Sequence, residues 1–156
     1  MGVNRIRVAK DKASLVQQLL DYQGTTGPFQ TYADAIAFAA ALGSKWQKRV
    51  PLGTISTSEP APISLEIFIS RGYDTTIKLL ALAETGDPKV LSNFHPEKES
   101  ERLQIFEEYA NGGLEILQHE LRGAVDYTER ILLMLSQERI KERSPDNEEF
   151  DLSRFL

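Results

Sequence analysis

The chain has 156 residues, 41% of them hydrophobic and 26% charged, with a net charge of −5 and no cysteine. That balance fits one globular domain, or a small N-terminal unit fused to a larger one, and argues against wholesale disorder. Lacking cysteine, it excludes disulfides, iron–sulfur clusters, thiolate chemistry and the common zinc fingers. No run of about 18 apolar residues marks a membrane span, and Met1-Gly-Val-Asn-Arg lacks a signal peptide's apolar stretch. A cytoplasmic protein without membrane attachment is the expectation.

Arg5-Ile6-Arg7-Val8 alternates polar and apolar, the period of a strand with one buried face, so Arg5 and Arg7 project together from the other. Asp11 is placed to cap a helix running to about Tyr22, with Leu15, Val16, Leu19 and Leu20 along one side. Turn formers follow in Gln23-Gly-Thr-Thr-Gly-Pro. Thr31 then caps a second helix, with Asp34 three residues on as a weak capping box, and Gly43 stands where a left-handed C-terminal cap belongs. Residues 1–50 therefore read as a strand–helix–helix unit. They carry +4, against −9 for the remainder.

Residues 51–62, with three prolines and several Ser and Thr, read as a linker or long loop. Ile63 to Ile69 fits either a strand or a helix, and the helical sequence that follows favours the helix. Asp74 to Thr85 is helical and stops at Gly86, and Asp87-Pro88 caps a short helix to Leu91. Pro96 opens a long helix with Leu103, Phe106 and Ala110 on one face. Asn111-Gly112-Gly113 falls inside it. Two glycines in a helix cost about 1 kcal/mol each relative to alanine, so the pair either ends the helix in a cap or lets another backbone approach closely. Asn-Gly is a turn dipeptide, which favours the cap. A stripe of Leu114, Leu117, Leu121, Val125, Leu132 and Leu135 then continues to about Ile140. An acidic helical domain over 63–140 and a charged, mobile tail over 141–156 complete the expected organisation.

Tyr32 to Leu42 is apolar on nearly every side, so other helices must enclose it. Either a second copy of the chain supplies them, making Ala33, Ile36, Ala37 and Ala40 an oligomer interface, or the chain's own C-terminal helices do. The strand–helix–helix order with a basic outer strand face is the layout of a ribbon–helix–helix protein. In those proteins two copies pair strands into a ribbon that enters the major groove. On that reading Arg5, Arg7, Lys10, Lys45, Lys48 and Arg49 are the DNA-binding residues. The lone Trp46 is an anchor for a partner or, as the more common role, a half-buried structural side chain. The fold class is mainly α: a ribbon–helix–helix-like unit followed by an α-helical bundle.

Catalytic chemistry has little support. Glu115 and His119 have i,i+4 spacing, but one such pair is common and a catalytic metal wants three protein ligands. Glu107 and Glu108 read as part of an exposed helical face. No phosphate-binding glycine loop, GxSxG or HExxH is present. The expectation is a non-enzymatic protein with no metal or cofactor.

Several stretches resemble one bacterial family: Arg5-Ile-Arg-Val-Ala-Lys-Asp-Lys, Gly27-Pro-Phe-Gln-Thr, Ala33-Asp-Ala-Ile-Ala-Phe-Ala-Ala-Ala-Leu-Gly, Leu80-Ala-Leu-Ala-Glu-Thr-Gly-Asp and, most distinctive, Glu107-Glu-Tyr-Ala-Asn-Gly-Gly-Leu-Glu-Ile-Leu. The family is the DNA phosphorothioation-associated protein 4 (dnd system-associated protein 4) family, over about residues 5 to 137. The resemblance implies a place beside enzymes that replace a non-bridging phosphate oxygen of DNA with sulfur, or beside the linked restriction functions, in antiviral defence. It implies no catalytic residues. The partners it suggests are DNA and other subunits of the system, with a homo-oligomer expected from the apolar second helix. A protein–protein adaptor that never touches DNA is the alternative, motivated by the overall acidity.

Overall fold

The computed structural model describes residues 4–142. The chain begins with strand β1 (Arg5–Ile6), a 3-10 turn (Lys10–Lys12) and helix α1 (Ala13–Gln18). Helix α2 (Tyr32–Lys45), strand β2 (Ile63–Ser64), α3 (Leu65–Ser70) and α4 (Asp74–Thr85) follow. A second 3-10 turn (Pro88–Leu91) leads to the long α5 (Pro96–Glu120) and then α6 (Tyr127–Glu142). The protein is mainly helical, with its small antiparallel sheet at the N-terminal end, as the sequence indicates. The tail beyond residue 142, assigned as mobile from its composition, lies outside the described residues.

Local signals account for most of the boundaries. The Thr31 hydroxyl accepts from the Asp34 amide and starts α2, while Asp87 accepts from the Lys89 amide with Pro88 in the first turn. Gly86 ends α4 at φ 65°, a conformation that costs glycine nothing. Asp11 does not cap α1. It sits within the 3-10 turn and pairs with Lys12 Nζ at 3.1 Å, and the regular helix begins only at Ala13. The ambiguous Ile63–Ile69 stretch divides between both assignments: Ile63–Ser64 pairs with β1, and Ser64 then caps α3.

β1 finds its partners within the same chain. Arg5 lies opposite Ser64 and Ile6 opposite Ile63, and the ladder continues as Ser56 N donates to Val8 O and Lys10 N to Thr54 O. On the other edge, Arg7 N donates to Glu107 Oε2 at 2.6 Å. One edge is paired within the chain and the other is engaged at Arg7, so a ribbon shared between copies, which the sequence layout suggested, would have to displace bonds already made. The stretch 51–62 runs beside the N-terminal segment, with Ser56 buried and Ile55 bridged to Ala9.

The core settles what encloses α2. Ala33, Ile36, Ala37 and Ala40 are buried within the chain, and α2 packs along α5 more extensively than any other pair of elements. The chain's own C-terminal helix therefore covers the surface expected to face a second copy. One apolar cluster runs from Ile6 through Ile36 and Phe68 to Phe106 and Met134, so the basic and acidic stretches share a core. Phe68 meets Phe106 edge-on at 5.7 Å and ties α3 to α5.

The glycines decide how closely α2 and α5 approach. A β-carbon at Gly43 would stand 2.0 Å from Tyr109 O, and one at Gly113 would stand 1.7 Å from Ala39 O. At Gly112 it would stand 1.8 Å from Lys48 O. Neither Gly112 nor Gly43 is a cap: α5 runs unbroken through the pair, and α2 continues past Gly43 to Lys45. Backbone contact is the reason for both, because the helices touch where no side chain fits. The helical stripe beyond Leu121, by contrast, does break. Gly123 turns the chain at φ 78°, and Val125 is exposed ahead of α6.

In an open helix Gly→Ala adds about 1 kcal/mol of stability. Gly113→Ala should do the reverse, because α2 and α5 must separate to admit the methyl group, at a cost of about 3 kcal/mol. Urea denaturation reads the difference; an unchanged or raised midpoint would show that the helices are not held at backbone contact.

Candidate binding surface

The sequence points to six basic residues, and the fold gives Arg7, Lys48 and Arg49 acidic partners. Ile6 and Val8 are buried as the alternation requires, and Arg5 and Arg7 line one shallow concavity of about 510 Å³ with Ile55, Ser56, Thr57 and Pro62. Arg7 grips Glu107 with two bonds, Nε to Oε2 at 3.0 Å and NH2 to Oε1 at 2.9 Å. Its side chain is 48% exposed, while that of Glu107 is only 2% exposed. Glu107 is thus a buried acid satisfied by Arg7, not part of an exposed helical face.

The cluster after α2 is held in the same manner. The chain from Lys48 to Pro51 lies along α5: Val50 N donates to Glu108 O, and Asn111 Nδ2 donates to Val50 O and Pro51 O. Arg49 then reaches Glu108 at 2.7 Å and Glu84 at 3.0 Å, so one guanidinium ties α4 to α5. Tyr109 donates its hydroxyl to Glu84 as well. Burial and that bond push the tyrosine pKa up to about 12, while the tyrosine bond holds Glu84 below the usual carboxylate range. Lys48 lies 3.7 Å from Glu115. Arg5 and Lys10 remain, exposed and without an ion-pair partner among the described residues.

Lys45 and Trp46 form a separate corner with Gln47, Glu138 and Lys141. Trp46 is half-exposed, and Lys141 Nζ lies 5.9 Å from its ring centre, a cation–π contact linking the exit of α2 to α6. The sequence identified the tryptophan but not this lysine, 95 positions away. His119 has no third ligand: among the described residues no group of three His, Asp or Glu is placed to hold a metal, and Glu115 faces Lys48.

A further network escaped the sequence reading. Asp34, taken only as part of a weak capping box, accepts from Arg71 Nε at 2.8 Å, Arg71 NH2 at 2.7 Å and the Tyr73 hydroxyl at 2.5 Å. Burial raises its pKa, but the bonds from Arg71, Tyr73 and Thr31 and the charge of Arg71 outweigh that and bring it down to about 2. Asp34 and Tyr73 border a groove of about 340 Å³ with Phe29, Ala37, Phe38, Ala41 and Thr76. The partners lie 37 and 39 positions away in sequence, so only the fold brings them together.

The family model described as DNA sulphur modification system-associated protein 4 matches residues 5–155, nearly the whole chain. No curated protein and no solved structure matches it. Among the described residues, no helix is long and apolar enough to cross a membrane.

Substitutions at Arg7 and Asp34, with Arg5→Ala as the control, test the ion pairs. Arg7→Ala strands a buried carboxylate and should cost about 3 kcal/mol in urea denaturation, whereas Arg5→Ala should change stability by less than about 0.5 kcal/mol. Equal effects would mean that Glu107 does not depend on Arg7. Asp34 has a lowered folded-state pKa, so its contribution is full above its unfolded value near 4 and is lost as pH falls through about 2. Asp34→Asn should therefore cost about 1 kcal/mol at pH 7, a figure discounted for the solvent around Arg71, and the difference from wild type should shrink toward pH 2. A difference constant with pH would dissociate Asp34 from the acid response.

Proposed function

We propose, on the premise that the chain belongs to the DNA sulphur modification system-associated protein 4 family, that it is a non-enzymatic accessory protein that docks onto other protein components of such a system. The observation that carries this reading is the state of the basic residues. Phosphate binding by Arg7, Lys48 or Arg49 would require each to leave, or share, an acidic partner already in place. For Arg7 that partner is buried, so the exchange strands a carboxylate away from water. Arg5 and Lys10 alone make a weak footprint for a polyanion on an acidic chain.

The concavity beside Arg5 suits a protein partner better. Ile55 and Pro62 supply apolar floor, Arg5 supplies an unpaired guanidinium, and Arg7 keeps donors that Glu107 does not use. An extended acidic segment carrying an apolar side chain matches that combination, with the arginine fork binding its carboxylate. DNA binding through the N-terminal unit is the competing reading, and it rests on the same Arg5.

The tagged chain, expressed with the other proteins of its system, should retain one of them after nuclease treatment, and Arg5→Glu should weaken that capture. Neither plain nor phosphorothioated duplex should be retarded at low salt. Retardation by the wild type, with a log–log salt slope of about −2 from Arg5 and Lys10 that Arg5→Glu abolishes, would replace the adaptor reading by the DNA-binding one.

A further inference from the structure

Helix α6 has two apolar faces, and the fold uses one of them. Ile131 and Met134 are buried in the core and Tyr127 packs against it, all on one side. At about 100° per residue, Leu132, Leu133, Ser136 and Ile140 fall on the opposite side. Leu132 is 60% exposed, Leu133 47% and Ile140 69%. Single exposed apolar side chains need no explanation, but three on one helical stripe around a small residue form a packing seam.

The charges around the seam identify what fits it. Most charged side chains of this region are engaged within the chain: Arg130 with Glu120, and Lys141 with Glu138 and over Trp46. Asp126 caps the helix by accepting from the Glu129 amide. Two exposed ones have no side-chain partner among the described residues: Glu129 near the N-terminal end of the seam and Arg139 near its C-terminal end. They are ten positions apart, about 15 Å along a helix. A second α6 lying antiparallel across the first brings Glu129 of each copy beside Arg139 of the other, twice over, by two-fold symmetry. A parallel pair would set acid on acid and base on base. The antiparallel arrangement also opposes the two helix dipoles.

We infer that the outer face of α6, formed by Leu132, Leu133, Ser136 and Ile140, is the contact between two copies of this chain, crossing antiparallel about a two-fold midway between Glu129 and Arg139, with Leu133 and Ser136 flanking the point of closest approach. This contact is independent of the concavity at Arg5 and lies on a different element from the apolar α2, which the chain encloses by itself. The two-fold closes on itself and leaves no open edge for further growth.

Sedimentation equilibrium of the full chain tests the inference. The wild type should be a dimer at tens of micromolar, and Leu132→Glu and Ile140→Glu should each be monomeric with unchanged helicity and thermal midpoint, since both side chains are exposed in the monomer. Glu129→Arg and Arg139→Glu should each weaken the dimer by about tenfold, and the double variant should recover to within about threefold of wild type. That recovery is specific to the antiparallel pairing, and its failure overturns the arrangement. A wild type that stays monomeric at about 100 µM, or a dimer indifferent to Leu132→Glu, overturns the contact altogether. The first outcome includes the case in which Leu132→Glu instead abolishes capture of another component of the system.

Discussion

Two glycines allow two helices to touch backbone to backbone, and most of this structure is arranged around that contact. Gly43 on α2 meets the Tyr109 carbonyl of α5, while Gly113 on α5 meets the Ala39 carbonyl of α2. Alanines at 35, 39 and 40 extend the same small, fully buried surface. Close approach of this kind replaces long side chains with many short-range contacts, each small and collectively large. It also explains how a helix with so little polar surface exists in a small chain. α2 is enclosed because α5, at 25 residues, is long enough to cover it and still reach the sheet at one end and α6 at the other.

The charge arrangement follows from that packing. With α2 held against α5, the chain leaving α2 has nowhere to go but along α5, and Gly112 gives it room at Lys48. Lys48 and Arg49 are then delivered to Glu115, Glu108 and Glu84, and on the other side β1 delivers Arg7 to Glu107. A basic first third and an acidic remainder are thus two halves of one set of internal pairs. Net charge by segment describes what a segment would present if it were free. In the folded chain much of that potential is cancelled at short range, where screening by salt is weakest.

For a protein associated with DNA modification, this shifts attention from phosphates to surfaces. Among the described residues, two places combine an unpaired charge with exposed apolar surface: Arg5 beside an apolar concavity, and the outer stripe of α6 with one acid and one base at its ends. Such features suit recognition of protein segments, where a few placed charges fix orientation and apolar side chains supply the energy.

The sequence by itself determined the helical class, the family, and most of the element boundaries that depend on local chemistry. Thr31, Gly86, Asp87-Pro88 and Pro96 act through bonds within four residues of themselves, so they can be read without a fold. Alternation likewise told which faces of Arg5-Ile-Arg-Val are buried. The sequence narrowed the double glycine to two meanings and favoured the wrong one, because a turn dipeptide is a local signal and a crossing helix is not. The same holds for Glu107, which looked like its exposed neighbours until Arg7, 100 positions earlier, was laid against it. Only the tertiary structure could decide whether a second copy or the chain itself encloses α2, whether a basic residue is free or already paired, and which side of α6 is left over. Each of those depends on which distant segment arrives at a given face, and arrival is set by backbone approach at a few glycines rather than by the residues whose roles it determines.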